Sequence, residues 1–64
     1  MQLNGKPYNF KPGLTLYALL NELNIQREGV AVAVNDDIYA GTRVPDVELK
    51  EDDAIEIVKI TAGG

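Results

Sequence analysis

The stretch "REGVAVAVNDD", residues 27–37, decides the fold. Val30, Val32 and Val34 alternate with Ala31 and Ala33, a period of two that belongs to a β-strand and not to a helix. Large branched groups fall on one face and small ones on the other, so the strand has two unlike sides. The valine side asks for an apolar cover. Asn35, Asp36 and Asp37 then supply the residue types that turn a chain back on itself.

Upstream, "LTLYALLNELNI" (14–25) changes the period. Leu16, Leu19, Leu20 and Leu23 recur at spacings of three and four, one apolar stripe of a helix, with Thr15 placed as its N-cap. Before it, "MQLNGKPYNFKPG" (1–13) reads as a hairpin about Asn4-Gly5, with Met1 and Leu3 on one arm, Tyr8 and Phe10 on the other, and Pro12-Gly13 at its end. Downstream, "IYAGTRVPDVELKEDD" (38–53) mixes turn formers with scattered apolar residues and predicts short strand pieces, and "AIEIVKI" (54–60) predicts a last strand. This order predicts an α+β fold, one helix laid across one face of a mixed, mostly antiparallel sheet. Val30, Val32 and Val34 are expected to point inward with Leu3, Phe10, Ile55 and Ile57. The opposite face then carries Ala31, Ala33, Glu56, Val58 and Ile60, a shallow apolar patch suited to docking another protein.

Composition narrows the function. With 64 residues, 45% hydrophobic and 25% charged, the chain predicts one small globular domain, and no apolar run approaches the length of a membrane helix. Six basic residues against ten acidic give a net charge of −4, the wrong sign for a phosphate backbone, so no nucleic acid and no membrane is expected among its partners. A basic protein surface suits it better. The chain has no Cys, no His and no Ser. Disulfides, thiolate or imidazole metal sites and the usual nucleophile and base pairs are thereby excluded. The acidic group Glu48, Glu51, Asp52 and Asp53 lacks the spacing of a calcium loop and reads as a turn. No bound metal or cofactor is expected, and the chain reads as a protein acted upon, not as an enzyme. With no leader visible, residence in the cytoplasm is expected.

The ending "TAGG" (61–64) offers little apolar surface to set against an ordering cost of about 1–2 kcal/mol per residue, so a flexible tail is expected beyond a domain spanning 1–60. Gly63 and Gly64 are the slimmest and freest residues available, the type needed to thread a narrow channel and carry a carboxylate into another protein's site. An ionised carboxylate is a poor acyl electrophile, so chemistry there calls for activation by a partner. An inert frayed end or an expression scar remains the plainer account.

Taken together, "MQLNGKPY", "LYALLNELNI", "GVAVAVNDDI" and "DDAIEIVKITAGG" resemble, over essentially the whole chain, the ThiS-type sulfur carrier proteins of thiamin biosynthesis in the ubiquitin-like β-grasp group. The resemblance implies a β-grasp fold. It implies that a ThiF-like enzyme, using its own ATP and Mg, adenylates Gly64, that a sulfur-donor protein supplies the sulfur of a thiocarboxylate, and that a ThiG-like thiazole synthase receives it. Gly63 and Gly64 would lie inside the partner's site. The residue pattern itself puts Val58, Ile60, Ala31 and Ala33 at the docking surface, with Arg43 as the charge expected to contact a partner. The molybdopterin-type sulfur carrier, a ubiquitin-like modifier and a plain β-grasp interaction domain are the alternatives.

Overall fold

A computed structural model describes residues 1–60, and the tail expected at 61–64, with Gly63 and Gly64, lies outside the described residues. Five strands form one sheet: β1 (Gln2–Leu3), β2 (Lys6–Pro7), β3 (Val30–Val34), β4 (Asp37–Ala40) and β5 (Ala54–Lys59). Their spatial order is β2-β1-β5-β3-β4. β1 and β5 are parallel, and the other neighbours are antiparallel. One helix, α1 (Leu16–Glu22), completes the α+β arrangement that the residue pattern predicts and the β-grasp fold that the resemblance implies.

The hairpin forms as expected, with Asn4 (φ 52°) and Gly5 (φ 79°) supplying the two left-handed residues of a tight turn. Its second arm is shorter than the alternation of Tyr8 and Phe10 suggests. β2 ends at Pro7, and proline, lacking an N–H, is tolerated in a sheet only at an edge such as this one. Tyr8 still donates its N–H to the carbonyl of Met1 (2.9 Å), and Phe10 packs against the core from irregular chain.

Helix α1 begins where Thr15 predicts, its Oγ1 accepting the N–H of Ala18 at 3.2 Å. It stops at Leu23 because Asn24 turns left-handed (φ 61°). Ile25 N–H then reaches the Leu20 carbonyl (2.9 Å) and Asn24 N–H the Asn21 carbonyl (3.1 Å), satisfying the last turn. Leu16, Leu19 and Leu20 are buried against Val30, Val32 and Ile55. Val44 and Leu49, from the stretch that reads as irregular, are equally deep at 1% and 2% exposure. The segment is strapped to the helix start: Leu16 N–H donates to Val47 O (2.8 Å), Leu49 N–H to Leu14 O (2.8 Å), and Tyr17 N–H to Asp46 Oδ1 (3.0 Å).

Candidate functional site

Because β3 lies between β5 and β4 and its side chains alternate, Val30 and Val32 disappear under α1 while Ala31 and Ala33 look out from the other face. The pairing fixes their neighbours. Ala31 lies opposite Val58 on β5 and Ala40 on β4, and Ala33 opposite Glu56 and Ile38. The alanines form the floor, and Ile38 and Val58 the walls, of a shallow cavity of about 350 Å³ closed at one end by Asn35 and Asp36. Its walls are the two most exposed large apolar side chains among the described residues, Ile38 at 75% and Val58 at 61%. Asp36 and Glu56 give its rim negative charge, which favours a basic partner.

The acidic end of this face is clamped. Asn35 turns left-handed (φ 57°), donates Nδ2–H to Asp53 Oδ1 (3.0 Å) and accepts the N–H of Ala54 on Oδ1 (3.0 Å). Asp53 Oδ2 accepts the N–H of Lys50 at 2.8 Å. Of the acids that read as a solvated turn, Asp53 is therefore a buried strut, needed because two turns meet there and their N–H groups require an acceptor.

The other end is where β5 hands the chain on. Ile60 N–H donates to Gly29 O (2.9 Å), extending the ladder one residue past the strand and leaving Ile60 43% exposed. Gly29 closes the 3₁₀ turn Arg27–Gly29. That turn is anchored: Arg27 Nη1 donates to the Tyr17 hydroxyl, which donates to Val44 O (2.8 Å), while the guanidinium sits 4.9 Å from the Tyr17 ring centre. Arg43 is exposed on the 3₁₀ turn Gly41–Arg43, which packs against Arg27–Gly29.

Of the residues singled out from sequence, the fold thus brings Ala31, Ala33 and Val58 into one surface and sets Ile60 at its end. Arg43 stands on a turn packed against Arg27–Gly29, outside the cavity wall. Sequence reasoning missed Ile38. The signal was available: a two-residue turn at Asn35-Asp36 pairs Val34 with Asp37 and so sets Ile38 against Ala33, whereas a turn one residue longer would have hidden it.

Against known proteins, the ThiS family model matches residues 1–64. The sulfur carrier protein ThiS of Thermus thermophilus is 39% identical over 62 residues, 97% of this chain and 95% of that one. A thiazole synthase of Magnetococcus marinus is 41% identical over 64 residues, all of this chain but 20% of its own length. One of Paramagnetospirillum magneticum is 36% identical over 62 residues, 97% of this chain and 19% of its own.

Proposed function

The chain belongs to the ThiS family, and from that premise we propose that it is a sulfur carrier, a protein co-substrate whose Gly64 carboxylate holds the sulfur used to build the thiazole of thiamin. The match of the family over the whole length, Gly63 and Gly64 included, carries this reading. The two thiazole synthases that contain a segment similar to this chain support a ThiG-like acceptor.

The chemistry runs in two steps. The Gly64 carboxylate attacks the α-phosphorus of ATP, held with Mg in a ThiF-like enzyme, and pyrophosphate leaves. A sulfur nucleophile, hydrosulfide or its equivalent from a sulfur-donor protein, then attacks the acyl carbon and AMP leaves, giving the thiocarboxylate. The partner supplies ATP, Mg and every catalytic group, which suits a chain with no Cys, His or Ser. This chain contributes the carboxylate and a face to hold. The cavity floored by Ala31 and Ala33 lies along β5, whose continuation past Ile60 is the segment to be threaded.

Intact mass spectrometry tests it: incubation with ATP, Mg, sulfide and a ThiF-like enzyme should replace one oxygen by sulfur, located at Gly64 by fragmentation. A chain lacking Gly64 should stay unmodified. No exchange with an enzyme proven active on ATP overturns the proposal.

A further inference from the structure

The two sides of β5 are not equally used. β1 pairs with it only through Gln2↔Ala54 and Leu3↔Ile55, because Asn4 turns left-handed and leaves the sheet. β5 nevertheless runs on to Lys59. Its bonds to β3 fall at alternate residues, as Asn35 N–H to Ala54 O and Ile60 N–H to Gly29 O establish, so Ile55, Ile57 and Lys59 aim their N–H and C=O groups toward the β1 side. Asn4 satisfies the nearer ones: its N–H donates to Ile55 O and its Oδ1 accepts the N–H of Ile57, both at 2.8 Å. Beyond it, the carbonyl of Ile57 and both main-chain groups of Lys59 have no partner among the described residues. They form a short open sheet edge.

Beside this edge lies a cavity of about 690 Å³, between β5 and the chain that follows α1. Leu3, Leu23, Ile25 and Ile57 give it an apolar lining. Among the described residues, Lys59 is the one ionisable residue in its wall, and it makes no ion pair. By alternation the side chains of Ile57 and Lys59 share the helix-side face.

We infer that this edge receives an extended segment of a partner protein, which adds as a short strand beside Ile57–Lys59, seats an apolar side chain in the groove and sets an acidic side chain against Lys59. A strand matches what the site offers: a line of unpaired main-chain groups at strand pitch, a pocket for one side chain, and, two residues along on the same face, a cation. Charge selects the segment further. On a chain of net charge −4, an acidic peptide is repelled from most of the surface and attracted here. The site is separate from the alanine-floored face, on the other side of the sheet, and does not depend on the sulfur-carrier reading.

The test uses the intact, isotope-labelled chain and the capped probe peptide acetyl-Thr-Asp-Thr-Ile-Thr-Asp-Thr-amide, whose symmetry allows either strand direction. Titration to millimolar concentration should shift the Lys59 amide, slow its hydrogen exchange, and move the methyl signals of Leu23 and Ile25. Lys59→Glu should weaken binding by about tenfold without altering the melting temperature, and N-methylation of both the peptide's Ile and the Thr that follows it, which removes the donor to Ile57 O in either strand direction, should abolish it. The inference is overturned if the Lys59 amide does not respond, or if the shifts gather on Ala31, Ala33 and Val58. It is equally overturned if a probe with Lys for Asp binds as well, or if the Lys59 signal moves with protein concentration alone, which assigns the edge to a second copy of this chain.

Discussion

Replacing Ile38 or Val58 by Asp should separate docking from folding, and the size of the effect can be worked from exposure. Fully burying a valine or isoleucine is worth about 1.5–3 kcal/mol. Ile38 is 75% and Val58 61% exposed, so a partner that covers them has roughly 1–2 kcal/mol still to gain at each. A carboxylate in their place adds a desolvation cost of about 1 kcal/mol or more if it finds no cation. Each substitution should therefore weaken binding to a ThiF-like enzyme by about 2–3 kcal/mol, roughly 30- to 150-fold. Neither side chain contributes much to the core, so folding stability should stay within about 0.5 kcal/mol of the parent. Titration calorimetry at fixed ionic strength reads the first quantity and a thermal melt the second. Ala18→Asp, exposed on α1 across the sheet, makes the same change of charge and should leave binding intact. Affinities for Ile38→Asp and Val58→Asp equal to the parent's in chains that melt normally would refute the docking face, as would an equal loss from Ala18→Asp.

Two further outcomes test the frame that holds these surfaces. Asn24 ends α1 in the left-handed region, so Asn24→Ala should cost about 1 kcal/mol, lowering the melting temperature by roughly 4–8 °C, while Asn24→Gly should be nearly neutral; equal melts for the two would contradict the capping account. The Tyr8 hydroxyl donates to Glu22 Oε1 at 2.9 Å, and this bond, with some burial and the negative charge of Glu22, raises the phenol above its ordinary value of 10.0. The folded chain thus holds this proton more tightly than the unfolded one, so the contact's stabilisation is complete below the ordinary phenol value and fades as pH rises beyond it. Ultraviolet titration should show one tyrosine ionising late, lost in Tyr8→Phe and returned toward normal in Glu22→Gln; a late tyrosine surviving in Tyr8→Phe would assign it elsewhere.

The regular parts of the molecule were legible because each has one period. Leu16, Leu19 and Leu20 at helical spacing, Val30 and Val32 at strand spacing and Ile55 after the acidic turn all reach the core. Thr15 and Asn4-Gly5 were legible because their side chains or conformations do one local job. Val44 and Leu49 were not, since their burial comes from a strap across the helix start, held by bonds between residues some thirty positions apart that no local pattern encodes. Asp53 was read by its charge, whereas its position is set by Asn35, eighteen residues away, and by the N–H of Lys50. Arg27, which no local pattern singles out, is tied to Tyr17 and through it to Val44. At the site, Ala31, Ala33 and Val58 followed from alternation alone. Ile38 required a turn length, which the run Asn35-Asp36-Asp37 leaves ambiguous by one residue.

The uncovered surfaces follow from how little chain there is to cover them. A helix of seven residues is about 10 Å long, whereas the six residues of β5 extend about 20 Å, so α1 shields only part of one face of the sheet. Among the described residues, what it leaves is an outer face with no layer over it, and a stretch of β5 past Asn4 that is paired with β3 on one side and with no strand on the other. Both lie along the strand that leads to Ile60. A chain selected only for stability could have closed either gap cheaply, with polar residues at Ile38 and Val58 or with two more residues in β1. Keeping branched aliphatics on one surface and an unpaired edge on the other costs solubility and invites wrong pairing. A partner that covers both surfaces would offset that cost, and the substitutions Ile38→Asp, Val58→Asp and Lys59→Glu test each cover separately.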